Sequence, residues 1–321
     1  MRDGANFNNQ HGTRTRVLKV NIYLDNVNFS SSSGPNSFGK KLAKTLVSKG
    51  HSVSPETPEE VDVILSFIMT NLNVKFTPLV LRLDGIYFNS SQDYEKLNAP
   101  IAMTYKISDA VIFQSEFNKL LTEHYFGPHQ NAHVISNGTS IEDIDKILPI
   151  SHPAIDKFDE VWSCASSWRP HKRLKNNVGY FLESAPDNSC LIIAGDNPDF
   201  KIDHPRVFYV GPLDWVTLIS LYKRSKKFLH LAWLDHCPNV VVDARASGCE
   251  IVCSSAGGTI EIAGKNATII EEDDWDFNPV RLYQPPDLDF SAVRKNTFKN
   301  SELNITDVAD HYLNVFQNVR G

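Results

Sequence analysis

The sequence predicts an α/β protein made of two doubly wound, parallel-sheet halves. Short apolar runs of strand length alternate with segments of helical period along most of the chain, and runs without a polar face belong to strands covered on both sides. An aperiodic stretch with two prolines, LPISHPAID (148–156), divides the series in two. The 321 residues, 41% of them hydrophobic, exceed what one small core needs, so two domains are expected.

Residues 1–16 are polar and without periodicity, and read as a disordered tail. The fold is expected to start at VLKVNIYLD (17–25), a strand followed by the loop NFSSSSGPNS and a helix. In that helix Phe38, Leu42, Leu46 and Val47 recur on one face and Gly50 closes it at C′. VDVILSFI, TPLVLRLDG, DAVIFQS with EFNKLLTEHYFG, and NAHVISNG continue the pattern to residue 150. From 151 to 302 a second series runs EVWSCASS, NVGYFLESAP, SCLIIAGD, RVFYVGPL, DWVTLISLYKRSK, KFLHLAWL, PNVVVDARASG, EIVCSS, GGTIEIAG and ATIIEE. The final segment, 303–321, contains the amphipathic helix ITDVADHYLNVFQNVR. Thr306 is its expected N-cap, and Val308, Tyr312, Val315, Phe316 and Val319 form its apolar side.

Composition removes several functions. A net charge of -6 argues against general nucleic-acid binding, which draws on Lys and Arg. The five cysteines lack any C-x-x-C pair and mostly sit in apolar runs, so they read as reduced core residues. No signal-peptide core and no apolar run of 18 residues occurs, and a cytoplasmic location is expected. Motifs of P-loop, G-x-S-x-G and H-E-x-x-H enzymes are missing, and His171, His204, His230 and His236 show no ligand spacing and read mostly as structural. The pairs Asp143/Asp145, Asp274/Asp276 and Asp287/Asp289 lie in polar or linker segments, away from the strand end that a metal-binding Asp-x-Asp requires.

Ligands of open α/β sheets bind beyond the carboxyl ends of strands. After KFLHLAWL come Asp235, a short loop, Pro238 at the expected N1 of a helix, Asp243 within it, and Gly248 as its terminator; EIVCSS then ends in Gly257-Gly258, which opens another helix. Two helix N-termini with small residues offer backbone N–H groups to a diphosphate. The carboxylates, eight positions apart, can accept from hydroxyls on either side of it, one holding a sugar and the other a ribose. Taken singly, Asp235 as a helix cap, Asp243 as a solvated charge and the glycines as turns is the plainer reading. A second constellation, CASSWRPHKRLKN (164–176), follows the first strand of the second half. Arg169 and Lys172 there can stabilise a leaving diphosphate without a metal, the alternative being a solvated basic loop. The loop SSSGPNSFG (31–39) and Asp84, at the end of LRLDG, complete the candidates.

The stretch from His230 to Gly264 resembles the acidic, seven-residue gap, acidic signature of the retaining family 4 glycosyltransferases of GT-B fold, with GGTIEI matching the Gly-Gly loop that follows it. QSEFNKLLTEHYFG, VISNGTSIED, IIAGDNP and VFYVGPL match in order, so the resemblance spans nearly the whole chain after residue 17. It implies two Rossmann-like domains facing a cleft, an acceptor side at 17–150 that is short for the family, a nucleotide-sugar side at 151–302, and a last helix crossing back. It also implies retaining transfer, without metal or other cofactor, from a nucleoside diphosphate sugar to a glycan, lipid-linked or protein acceptor. Asp243 would then hold the ribose and Asp235 the sugar hydroxyls, while Arg169 and Lys172 hold the diphosphate. Lys172 is the better match, because the family spaces its Arg and Lys five apart and Ser167 stands five before Lys172. Gly34 and Asn36 would lie beside the transferred sugar and donor phosphate. Ser167, Gly211, Leu213, Pro238, Asn239, Val240 and Gly258 would shape the donor pocket. Asp84, at a strand end expected to face the same cleft, either orients an acceptor or sugar hydroxyl or merely starts a turn. The family usually has Glu at both acidic positions and Gly-Gly where this chain has Gly34-Pro35.

A degenerate nucleotide-sugar or carbohydrate binding protein, or a sugar-nucleotide epimerase of the same fold, is the alternative. Lys40, Lys41, Lys44 and Lys49 around Leu42 and Leu46 would also allow contact with anionic lipid, although a core-facing stripe with solvated lysines is favoured because the helix must pack on its sheet.

Overall fold

The computed structural model of the chain describes residues 19–31, 33–54, 56, 60–74, 76–298 and 301–320; the expected tail and the first two residues of the first strand lie outside them. The first sheet contains β1 (Asn21–Asp25), β2 (Ser52–Ser54), β3 (Val63–Phe67), β4 (Leu79–Leu83), β5 (Ala110–Phe113) and β6 (Ala132–Val134), ordered β2-β1-β3-β4-β5-β6 and parallel throughout. The second contains β7 (Glu160–Ala165), β8 (Ser189–Ala194), β9 (Val207–Gly211), β10 (Lys227–His230), β11 (Glu250–Ser254), β12 (Thr268–Ile270) and β13 (Val293–Lys295), ordered β13-β12-β11-β10-β7-β8-β9. Among the described residues only β13, which the sequence pattern does not announce, runs antiparallel there. β3, β4, β5 and β8 are buried along their whole length, which is why their sequences are apolar on both faces.

The helices are α1 (Gly34–Ser48), α2 (Tyr94–Ile107), α3 (Glu116–Phe126), α4 (Ile141–Asp145), α5 (Pro153–Asp156), α6 (Leu174–Ser184), α7 (Trp215–Arg224), α8 (Asn239–Ala246), α9 (Thr259–Ile262) and α10 (Ile305–Arg320). α2 escapes the sequence pattern because Pro100 interrupts it and Met103 and Ile107 are exposed; Asp93 caps it by accepting from the Lys96 N–H. Three expectations shift. Val47 is 55% exposed rather than on the core face of α1. Pro238 is the N-cap of α8, not its first residue. Thr306 lies inside α10, and Asn304 caps it, with its side-chain oxygen accepting from Thr306 N–H and its carbonyl from Val308 N–H. Gly50 and Gly248 terminate α1 and α8 at positive φ, as expected.

The last helix belongs physically to the first sheet. Ile305, Val308, Tyr312, Leu313 and Phe316 share one buried cluster with Phe38, Leu42 and Leu46 of α1 and with β1 and β3, and Val319 packs at its edge. The lysines of α1 do not form a free basic face: Lys41 pairs with Asp243, Lys44 with Asp143 and Lys49 with Asp310. All five cysteines are buried and free. Among the described residues no helix is long and apolar enough to cross a membrane.

Phe316→Ala is expected to destabilise the protein by about 3–5 kcal/mol in urea unfolding, because it empties a fully buried site shared by α10, α1 and the first sheet. A loss under about 1 kcal/mol would mean that α10 does not pack there.

Candidate active site

In the second sheet the chain winds from β7 outward to β8 and β9, then returns to place β10 on the other side of β7. The loops after β7 and β10 therefore diverge at a topological switch point, where an open parallel sheet leaves a crevice. The sequence furnishes that crevice from both sides. After β7 a short turn, Pro170–Lys172, ends at Arg173, which adopts the left-handed region (φ 53°). Arg173 is buried and donates two hydrogen bonds of 2.7 Å to the Glu272 carboxylate and one of 2.8 Å to the Pro286 carbonyl, which fixes the turn. Asn177 adds a hydrogen bond from its side chain to the Lys172 carbonyl. After β10, Leu234 turns the chain at φ 56°. The Asp235 carbonyl accepts from Gly258 N–H at 2.8 Å, which anchors this second loop to the next strand's end.

The two loops meet at one carboxylate. Asp235 Oδ2 accepts from Lys172 Nζ at 2.5 Å and from His230 Nε2 at 2.9 Å, while Oδ1 accepts from the His236 N–H at 3.0 Å. Burial alone would raise the Asp235 carboxyl, but the Lys172 ammonium and the His230 hydrogen bond outweigh it and hold the group well below the usual carboxylate range. Burial also lowers the neighbouring imidazoles: His171, beside Lys172, falls to about 3, and His236 to about 4. Lys172 thus sits among uncharged rings, facing one fixed anion.

This pair opens into a cleft of about 900 Å³ between the halves. Of the residues expected from the sequence, Arg169, Lys172, Asp235, Gly34, Ser167, Leu213, Pro238, Asn239 and Val240 line it. The first half contributes Ser31, Ser33, Gly34 and Pro35, joined to the second by a hydrogen bond from Asn239 Nδ2 to the Gly34 carbonyl. Gly195, Asp196 and Pro212 also line the cleft, from the strand-end junctions IIAGDNP and VFYVGPL that the family resemblance assigns to the base and ribose pocket, whereas His230, also in the lining, reads from the sequence only as structural. Gly195 carried a readable signal: at φ 112° its α-carbon lies against the Ser166 carbonyl, and any side chain would collide. His230 carried none, since it ends an apolar strand.

The other candidates lie off the cleft. Asn36 shapes the first loop, accepting from Asn28 N–H and donating to Ser33 Oγ. Gly211, at φ 72°, accepts through its carbonyl from Gly195 N–H and holds the β8–β9 ends together. Asp84 is drawn into the first half, where its Oδ1 accepts from Arg82 at 2.5 Å and Gln114 at 2.8 Å. Gly258 packs against the His236 carbonyl and Ser115, and its N–H is engaged by Asp235, so the second helix N-terminus is not open to a diphosphate. Asp243 is neither a solvated charge nor a cleft residue. It is buried, with Lys41 at 3.0 Å on Oδ1 and the Trp215 indole N–H at 3.1 Å on Oδ2, so the oxygens expected to meet ribose are satisfied within the protein. Nor does Asp235 cap α8, whose N-cap is Pro238.

No protein-family profile matches the sequence, and no curated protein matches it. Solved structures do. Sucrose-phosphate synthase from Thermosynechococcus elongatus superposes with a TM-score of 0.65 at 13% identity, over 94% of this chain and 99% of that one. The catalytic domain of starch synthase IV from Arabidopsis thaliana, bound to ADP and acarbose, gives 0.61 at 11% identity over 94% and 99%. Anabaena HepE in complex with UDP-glucose gives 0.56 at 14% identity over 94% and 92%. The fold is GT-B. At such identities the likeness is one of architecture, and within that GT-B frame the chemistry must be argued from this chain's own residues.

The depressed Asp235 carboxyl gives a signed expectation. A carboxyl lowered on folding adds stability that is complete above the unfolded value of about 3.9 and is lost as pH falls through the folded value. The unfolding free-energy difference between wild type and Asp235→Asn should stay constant from about pH 7 to 5 and shrink below about pH 4. A difference unchanged at pH 3 would mean that the carboxyl is not held by Lys172 and His230.

Proposed function

We propose that the chain is a glycosyltransferase that moves a sugar from a nucleoside diphosphate sugar to an acceptor hydroxyl, with retention of configuration and without a metal. The observation that carries this reading is the Lys172–Asp235 pair, with Arg169, at the switch point of the second sheet and at the wall of a 900 Å³ cleft. That volume lies within the roughly 300–1,000 Å³ typical of small-ligand sites. The strand ends lie in the order β10, β7, β8, β9, about 4.8 Å apart, and span about 14 Å. Along this row come a carboxylate (Asp235), two cations (Arg169 and Lys172), a small-residue loop (Gly195-Asp196) and an apolar end (Pro212 and Leu213). A nucleoside diphosphate sugar presents the matching series of sugar hydroxyls, diphosphate, ribose and base. Among the GT-B structures this chain resembles, HepE is bound to UDP-glucose, a nucleoside diphosphate sugar, and starch synthase IV to ADP, a nucleoside diphosphate.

In this reading Lys172 and Arg169 stabilise the charge that develops on the leaving diphosphate, and closure of the cleft over the donor would exclude bulk water. Asp235 accepts from a donor-sugar hydroxyl. The backbone of Asn239 and Val240, in the first turn of α8, adds N–H groups beside the phosphates. The acceptor enters from the first half, and its oxygen attacks on the face that the diphosphate leaves, which assists its deprotonation. Asp84, with Oδ1 held by Arg82 and Gln114 and Oδ2 buried, stays off the cleft and is left out of this reading. Asp243 serves as a tie between the halves and leaves the ribose to the β8 and β9 loops.

Thermal-shift screening against UDP-, GDP- and ADP-sugars should raise the melting temperature with one nucleotide class; no shift with any would refute donor binding. Lys172→Ala should lower turnover of the stabilising donor by about 10²- to 10³-fold while the protein stays folded. A wild-type rate in that variant would remove the phosphate assignment. Asp243→Asn should lower stability and leave nucleotide affinity within about twofold by calorimetry, whereas a large affinity loss at unchanged stability would restore its role on ribose.

A further inference from the structure

We propose that His230 is a positioning residue for Asp235, holding the carboxylate in place by its Nε2–H when Lys172 turns from it to the donor diphosphate. The proposal rests on the glycosyltransferase reading of the same cleft and adds a residue and a sequence of contacts to it.

Asp235 shares one oxygen, Oδ2, between two donors of different kind. Lys172 is a mobile cation on a flexible stem, and it also faces the space where a diphosphate would lie. A diphosphate carries more charge than a carboxylate and competes for that ammonium. Without His230, Asp235 would retain only the His236 N–H on Oδ1 once Lys172 moves, in a site whose burial favours the neutral, protonated carboxyl. His230 prevents this. It ends β10, its backbone registers with Cys253 of β11, and its ring lies parallel to Phe228 at 6.4 Å, so it is only 4% exposed and firmly held. Against an ionised carboxylate, which can only accept, the ring must carry its proton on Nε2. Burial lowers the imidazole's affinity for a second proton more than Asp235 raises it, so the ring is a neutral donor. A neutral donor fixes Asp235 without adding a cation that would hold the diphosphate back. Departure of Lys172 frees the Oδ2 position opposite His230, and a donor-sugar hydroxyl can donate to it.

Two variants and two measurements test this. His230→Phe keeps a ring and removes the donor; His230→Gln keeps an amide N–H at similar reach. In the free wild-type protein, nitrogen-15 NMR of the imidazoles should show His230 neutral with its proton on Nε2, and a ring protonated only on Nδ1 would overturn the proposal. UDP-glucose, GDP-glucose and ADP-glucose are then screened, and release of nucleotide is followed with the one that binds. His230→Phe should lower kcat by about 10- to 100-fold, keep affinity for the free nucleoside diphosphate within about twofold, and be largely rescued by His230→Gln. A wild-type kcat in His230→Phe, a matching loss of nucleotide affinity, or a glutamine variant no better than phenylalanine would each overturn it. If none of the three probes binds wild type, the donor-binding reading itself falls and this proposal with it. Binding without these kinetic effects removes His230 alone.

Discussion

A buried carboxylate beside a lysine must be held from several directions, or burial neutralises it. At Asp235 the restraint comes from three places: Lys172 on the loop after β7, His230 at the end of β10, and the backbone of the next residue. Those loops are neighbours only because the second sheet reverses its winding between β7 and β10. Arg173, locked in a left-handed conformation by its double hydrogen bond to Glu272, sets the turn that aims Lys172. The pair therefore depends on sheet order, on a strained turn and on a second ion pair behind it. The cleft, its row of functional groups and the proposed donor orientation all follow from it.

The halves meet through an apolar cluster, in which Leu234, Trp275 and Phe277 pack against Phe88, Phe117 and Leu83, and through a set of polar ties beside it. Asn137 donates to the Cys237 carbonyl and to Asn239 Oδ1, and Asn239 in turn donates to Gly34. The Glu261 carboxylate accepts from the Glu116 and Phe117 N–H groups at the start of α3, across the seam, where burial raises its carboxyl. Lys41 reaches Asp243 in the same way. The polar ties can be exchanged for ligand or water, while the apolar cluster keeps the halves together. Asp243 stands in the signature position of a site residue and yet acts here as one of these ties.

The architecture was legible in the sequence where burial is two-sided. β3, β4, β5 and β8 are apolar on both faces because helices cover both, and their order along the chain could be read directly. What could not be read was set by partners distant in sequence. α2 hides behind an internal proline and exposed apolar residues, and β13 is three residues long. Asp235 and Lys172 stood out because strand-end loops carry function in such sheets, and the structure joins them. Asp243 looked equivalent to Asp235, but its partner Lys41 is 202 residues away. His230 looked like part of a strand, which it is, and only its neighbour five residues on makes it more than that.

In the proposed function a donor's diphosphate meets its sugar at the Lys172–Asp235 locus. A crystal structure of the protein grown with an excess of the nucleoside diphosphate that binds it tests this most directly. Phosphate oxygens are expected within hydrogen-bonding distance of Lys172 Nζ and the Arg169 guanidinium, with the base lying over Pro212 and Leu213 at the β9 end. A diphosphate bound elsewhere, with Lys172 still closed on Asp235, would contradict it.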